Sequence, residues 1–432
     1  MKLAAIGAAS KDFGLKIISD VMTSALAGSK GLDLVLCDID EPGLEKTAGL
    51  ANRLKEHCNA SVNVVSEPVL DKALEEADYI ILSVCRKRYE LWEQDFRLPN
   101  ALGFKQVLGE NAGPGSIFHA LRSLNLVVPI GERIREKAPG ALVLNFTNPE
   151  SVVVRALFEI CGLNVVGLCH GAMAAREKVV EVLGLPDSRL DMESGGINHF
   201  YWVKKIRDRE TGRDLYPEFR KRIEKEPMLM PPLARKLLEI FGLLTYPSDD
   251  HCGEFLAFGH EYSGLKWPYG MEHKKILPGP AAPASIEKNQ VEEYLSGRAD
   301  IADLARPSGE LALEIIADIE LDRGTWRPAV IVKNKDLVVR NLPKDAAVEV
   351  PAVVDKQGVH PLDFGPLPPG LAAISFLHAD IQGLLVKAYR HRSRKYALQA
   401  LLLNPQVNNL KSAEILLDEM LELQAEFLPA LD

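Results

Sequence analysis

Over the first 170 positions apolar residues come in short unbroken runs, separated by longer stretches with a helical period. KLAAIG (2–7), DLVLCDID (33–40), VNVV (62–65), ADYIILSV (77–84), ALVLNFT (141–147) and VVGLC (165–169) are the runs. Unbroken apolar runs of this length read as strands buried on both faces, and helices between them make the sheet parallel. The intervening patterns predict helices over 15–26, 42–57 and 117–137, a short one before position 77, and one opening at NPES (148–151). Between them, RKRYELWEQDFRLPNALG (86–103) shows no clean period and leads into the glycine-rich GENAGPGS (109–116). It reads as a long loop, either covering a ligand cleft or making a solvated excursion.

The pattern then changes. DMESGGINHFYWVKKI (191–206) alternates as an antiparallel strand does, 217–242 reads as helix, and LPGPAAPAS (277–285) as a proline-rich loop. AAVEVPAVVD (346–355) is a strand, and two helices, 369–403 and 412–423, close the chain. The expected fold is α/β: a Rossmann-like doubly wound parallel sheet over 1–195, then an α+β domain over 196–432 for substrate, metal and oligomer contacts.

Composition narrows the class. The 432 residues are 47% hydrophobic and 26% charged, ordinary for a globular protein. A net charge of −9 without a basic block argues against nucleic acid and anionic membrane surfaces as partners. No run of about 20 apolar residues is present, so no membrane span is expected. The six cysteines form no CxxC pair, which fits a reduced, cytoplasmic compartment. The N-terminal apolar run is too short for a secretory signal, with Lys11 and Asp12 following it.

Candidate chemistry lies at the strand ends. Gly7 and Ser10 sit in the first strand-to-helix turn, where backbone N–H groups can approach a pyrophosphate. Ala8 and Ala9 stand where a full GxGxxG motif has more glycine. Asp38, closing the second strand, is placed to take both ribose hydroxyls and so to favour NAD over NADP. In NFTNP, Asn145 is assigned to the cofactor; Asn148 reaches a substrate hydroxyl or the nicotinamide amide, or simply caps a helix. Cys169-His170 and Asn198-His199 edge two apolar runs about thirty residues apart. Cys169 and His199 can converge on one divalent ion, or each can be a packing residue. YPSDDHCGEF (246–255) offers Tyr246, Asp249 and His251 as general bases, or is an exposed acidic turn.

Taken together, the turn with Asp38, GENAGPGS, NFTNP, CHG, GINHF and VEVPAVVDKQGVHP resemble glycoside hydrolase family 4, over nearly the whole chain. The resemblance implies a lactate/malate dehydrogenase-like architecture, NAD, and a divalent metal, usually Mn²⁺, with Co²⁺, Ni²⁺ or Fe²⁺ as softer alternatives. It implies cleavage by C3 oxidation, C2 deprotonation, elimination, water addition and re-reduction, outside the two-carboxylate scheme. Cys169 and His199 become the metal ligands, and Asn148 and Asn198 substrate contacts. The base is His251, then Asp249, then Tyr246 in order of preference. His170 either donates to the leaving group or holds the metal shell. Asp250 stands where a galacturonidase-like branch has Arg, which leans the expected substrate to a small non-phosphorylated α-hexoside; Arg86, Lys87 or Arg88 offers charge instead. A homodimer or homotetramer is expected. Two other readings compete: a metal-free NAD-dependent 2-hydroxy-acid dehydrogenase, and a non-catalytic NAD-binding sensor.

Overall fold

The six apolar runs are strands: β1 (Lys2–Ile6), β2 (Leu32–Cys37), β3 (Val62–Ser66), β4 (Tyr79–Leu82), β5 (Leu142–Asn145) and β6 (Asn164–Gly167). In the computed structural model, which describes residues 1–10, 13–28, 31–265 and 290–432, they lie parallel in the order β3-β2-β1-β4-β5-β6. The proline-rich 277–285 falls outside the described residues. Strand order reverses between β1 and β4, and the carboxyl ends on either side of that point form the crevice where such sheets bind ligands. Alternate residues of β1 serve opposite faces. Leu3 and Ala5 pack with Leu15, Ile18, Leu44 and Leu50, while Ala4 and Ile6 pack with Ile117, Leu121 and Val153.

The sheet continues beyond β6. β7 (Leu190–Ile197), β8 (Phe200–Asp208), β9 (Thr325–Lys333), β10 (Ala347–Asp355) and β11 (Gly358–Pro361) extend it as β6-β9-β10-β7-β8, with β11 on β10. These added pairings are antiparallel. Two narrow joints carry the extension, Gly167 opposite Ile331 and Glu349 opposite Gly196. Position 195 lies inside β7, in the middle of a strand.

Three elements differ from the pattern. Residues 86–103 are not a loop: Arg88–Ala101 is a helix, burying every residue from Leu91 to Phe96. A helix enclosed on several sides has no polar face, so its period vanishes. The stretch 217–242 is two helices, Tyr216–Lys225 and Pro232–Phe241, interrupted around Pro227 and Pro231, whose missing N–H groups break a helical ladder. The helix starting at Pro369 ends at His391, because Arg392 takes the left-handed conformation (φ 51°) usually left to glycine there. Pro369–His391 is long and apolar enough to cross a membrane, but most of it is buried inside the protein.

The enclosed helix holds its place through charge. Asp95, fully buried, accepts from Arg122 through both oxygens and from Gln424 at 3.1 Å. Removing one partner of a buried pair strands the other charge. Asp95→Ala is expected to cost about 3–5 kcal/mol, read as a lower urea midpoint at unchanged slope; a midpoint within experimental scatter of the parent would refute it.

Candidate active site

The cofactor turn is built on one glycine. Gly7 has φ +90°, and a Cβ there would lie 1.9 Å from the Ser83 carbonyl oxygen on the β4 side. Its N–H donates to Cys37 O at 2.9 Å, tying the turn to the end of β2. Asp38 completes the turn: Oδ2 accepts from Ala9 N at 2.9 Å and Oδ1 from Asp40 N at 3.0 Å. Ser10 Oγ accepts from Phe13 N at 3.3 Å, capping the helix Phe13–Thr23. Asp38 therefore shapes the turn. Hydrogen bonds to a charged group contribute about 1.5–3 kcal/mol. Asp38→Ala is expected to weaken NAD⁺ binding roughly ten- to hundredfold by fluorescence titration, and unchanged affinity would remove Asp38 from the site.

The strands β6, β7 and β8 bring the two polar edges together. Cys169 lies two residues past β6, and Asn198-His199 form the two-residue turn between β7 and β8, with His199 left-handed (φ 66°). Cys169 Sγ and His199 Nε2 are 3.2 Å apart, and Gly171 N donates to the same sulfur at 3.4 Å. Burial, then the proximity of Glu349, pushes the Cys169 thiol well above its ordinary range. Burial, with His251 alongside, depresses the His199 imidazole well below its own and keeps it neutral.

A second cluster faces this pair. Val203 N donates to Leu244 O at 2.7 Å and Thr245 Oγ1 to Tyr201 O at 2.8 Å, which ties the 244–246 segment to β8. The rings of His199, Tyr246 and His251 form a triangle with centroid separations of 5.4, 5.0 and 5.0 Å. Asp250 Oδ1 meets His251 Nδ1 at 2.8 Å, and Ser248 Oγ lies 3.2 Å from the same nitrogen. Burial alone would lower the His251 imidazole; the Asp250 bond and charge outweigh it and hold it above its ordinary value. Asp250 would rise with burial, but His251 holds its carboxyl well below the usual carboxylate range. Burial, with Cys169 next, pushes the Tyr246 phenol up, so it stays a donor near neutral pH.

The site lies in a chain whose relatives agree along its length. Residues 2–185 match the family 4 glycosyl hydrolase domain, and residues 194–407 match the family 4 glycosyl hydrolase C-terminal domain. The chain belongs to glycosyl hydrolase family 4. It is 27% identical to an alpha-galactosidase of Bacillus subtilis (strain 168), covering 99% of each. It is 28% identical to an alpha-galacturonidase of the same strain, over 98% of this chain and 97% of that one. A 6-phospho-alpha-glucosidase from gut microorganisms, solved with NAD and Mn²⁺, superposes with a TM-score of 0.83 at 21% identity, over 100% of this chain and 99% of that one. Family membership makes this a glycosidase and sets aside the dehydrogenase and the non-catalytic sensor.

A family 4 enzyme needs a metal site, and these residues fit one. Cys169 Sγ and His199 Nε2, 3.2 Å apart, are a thiol and an imidazole close enough to share one dication. A dication would also reverse the thiol's raised pKa. Orphaned polar atoms lie at the pair: His199 Nδ1, Asn198 Oδ1 and Glu349 Oε1 are buried without partners. Among the described residues no third His, Cys, Asp or Glu joins the pair as a ready-made metal cage.

Not every expected residue faces the pair. Asp249 Oδ1 accepts from Leu233 N at 2.9 Å and Ala234 N at 3.0 Å, so it caps the helix Pro232–Phe241. Its Oδ1 is committed there. Asn145 is fully buried and donates to Thr147 O at 3.0 Å and Glu150 Oε1 at 2.7 Å, bracing the end of β5 from inside. Asn148 does not cap the next helix: the cap position is Pro149, without a side-chain bond. Asn148 is partly exposed, and its carbonyl accepts from Ser123 Oγ at 2.7 Å. His170 is half-exposed, 3.9 Å from Glu177 and beside Gly309, at the rim.

Glu349 was missed from the sequence. It accepts from Asn198 Nδ2 at 3.0 Å, and burial pushes its carboxyl up to about 7 against the bonds it takes from Asn198 and the His199 backbone. An acid in the middle of the apolar VEVPAVV was the available signal, since a charged residue in a buried strand needs a partner.

Proposed function

We propose that this enzyme cleaves small non-phosphorylated α-hexosides in the cytoplasm, as a homo-oligomer, with NAD and a divalent cation. The observation that carries the reading is the Asp250–His251 pair, whose imidazole packs 5.0 Å, ring to ring, from the His199 of the Cys169–His199 site. A base and a metal-type pair then stand side by side.

The chemistry the two cofactors supply when bound is reversible hydride transfer at the sugar's C3 and Lewis acidity at O2 and O3. Cys169 and His199 hold the cation, and Gly7, Ser10 and Asp38 hold the dinucleotide. With C3 oxidised the C2 proton is acidic. His251 Nε2, with Nδ1 oriented by Asp250, takes that proton, and the C1–O bond breaks by elimination. Tyr246, kept protonated by burial, donates a hydrogen bond to the same oxygens. Asn198, oriented by Glu349, and Asn148 bind sugar hydroxyls. His170, at the rim, faces the departing group. An ionised Asp250 favours a neutral sugar, because a substrate carboxylate beside it would meet like charge.

The test is a panel of nitrophenyl α- and β-glucosides, galactosides and uronides, with and without 6-phosphate. Each is run with NAD⁺, Mn²⁺ and reductant, then with each additive withheld. Turnover of a neutral α-hexoside that needs both NAD⁺ and Mn²⁺ is expected. Turnover confined to phosphorylated or uronic substrates overturns the substrate assignment, and NAD⁺-independent hydrolysis overturns the mechanism.

A further inference from the structure

Glu254 lies three residues beyond His251 on the same short turn, is 1% exposed, and is unused by the chemistry above. Its Oε2 accepts from three consecutive backbone N–H groups of the glycine-rich loop: Glu110 at 2.7 Å, Asn111 at 2.9 Å and Ala112 at 3.3 Å. Successive N–H groups converging on one oxygen make an anion nest, and here the chain fills it with its own carboxyl group. The loop is held from its other side, where the Glu110 carbonyl meets His119 Nδ1 at 2.9 Å. The Glu254 end is equally fixed: its N–H donates to Asp250 O at 3.2 Å, and its carbonyl accepts from Gln406 Nε2 at 2.8 Å. The turn bearing Asp250 and His251 is thus pinned to the loop through one side chain. The loop ends at Ser116, the first residue of the helix Ser116–Lys137 that supports β5, and so is a rigid reference.

We propose that Glu254 is a positioning residue for this glycosidase: its carboxyl group, filling the nest at Glu110–Ala112, sets where His251 stands relative to the sugar. The proposal rests on the reading of His251 as the C2 base. A buried acid bound to three N–H groups and touching neither metal pair nor dinucleotide turn acts on His251 through placement and through its own charge. Misplacement by about 1 Å costs on the order of a hundredfold in rate.

The experiment compares E254A, E254Q and E254D in the holoenzyme. It follows kcat, KM, NAD⁺ affinity, and release of deuterium from a C2-labelled substrate into solvent. E254A is expected to lose about a hundredfold in kcat and in C2 exchange alike, with NAD⁺ affinity unchanged. Sodium formate, small enough to enter the vacated nest, is expected to restore at least tenfold of that loss in E254A and nothing in the parent. E254Q keeps an acceptor oxygen on the nest and is expected within about fivefold of the parent, whereas E254D falls short of the nest and tracks E254A. If E254A does not fold, the Gln-over-Asp order decides alone. Parent-like kcat in E254A, equal losses in E254A and E254Q, or E254D exceeding E254Q would each overturn the positioning role. A parent enzyme that turns over without C2 exchange would instead overturn the base assignment on which it rests.

Discussion

Cys169→Ser is expected to abolish metal-dependent turnover while leaving the fold and NAD⁺ affinity intact. Cys169 sits past the end of β6, outside the ladder, and its sulfur is bonded by Gly171 N at 3.4 Å and His199 Nε2 at 3.2 Å, contacts a serine oxygen can also make. What changes is the donor. A buried thiol can become a thiolate when a dication arrives; a serine hydroxyl at neutral pH does not, and His199 is left as a single ligand. Lewis-acid polarisation is worth several kcal/mol, so the expected fall in kcat/KM is on the order of a thousandfold. A readout independent of activity is the sulfur-to-Co²⁺ charge-transfer absorption of the Co²⁺-loaded protein, present in the parent and absent in the variant. Full turnover in Cys169→Ser, with metal still required, would end the assignment of this residue as a ligand.

His251→Ala should separate deprotonation from the rest of the reaction. General base catalysis contributes typically 10²–10⁴-fold, and the pair with Asp250 leaves His251 Nε2 as the nitrogen available to a proton. Turnover and deuterium release from a C2-labelled substrate are both expected to fall by roughly that factor, while Co²⁺ absorption and NAD⁺ affinity stay at parent values because the variant removes neither member of the Cys169–His199 pair and no part of the dinucleotide turn. Exchange at the parent rate would move the base to Tyr246. Asp249 is a weaker alternative, since its carboxylate is already bound to two helix N–H groups.

Local chemistry explains which features were legible in advance. Five of the parallel strands show as apolar runs because both of their faces are covered, a condition written into each residue, while the edge strand β3 is partly exposed. Gly7, Asp38, Cys169 and His199 were identifiable because each lies at the carboxyl end of a strand or in a turn, where such folds place ligand groups. The enclosed helix Arg88–Ala101 was hidden for the converse reason: burial on all sides erases the amphipathic period, and Glu93, Gln94 and Asp95 look solvated until their partners are known. The same blindness applied to Glu349 and Glu254. Each is an acid whose partners come from distant positions, Asn198 for one and the 110–112 backbone for the other.

Asp249 and Asp250 show how finely the remainder was decided. In the sequence they are adjacent, identical carboxylates. Folded, one caps the helix Pro232–Phe241 and the other orients His251, because the short turn Asp249–Gly253 points successive side chains in different directions. The sequence alone determined the dinucleotide-type sheet and the family, and it named Cys169 and His199, the pair the fold brings within 3.2 Å, since these depend on residue identity at strand ends. Only the tertiary structure decided which of the two acids meets His251, which buried acids take partners from distant segments, and that position 195 lies inside a strand. Those depend on contacts between segments far apart in the chain, and no local pattern encodes them.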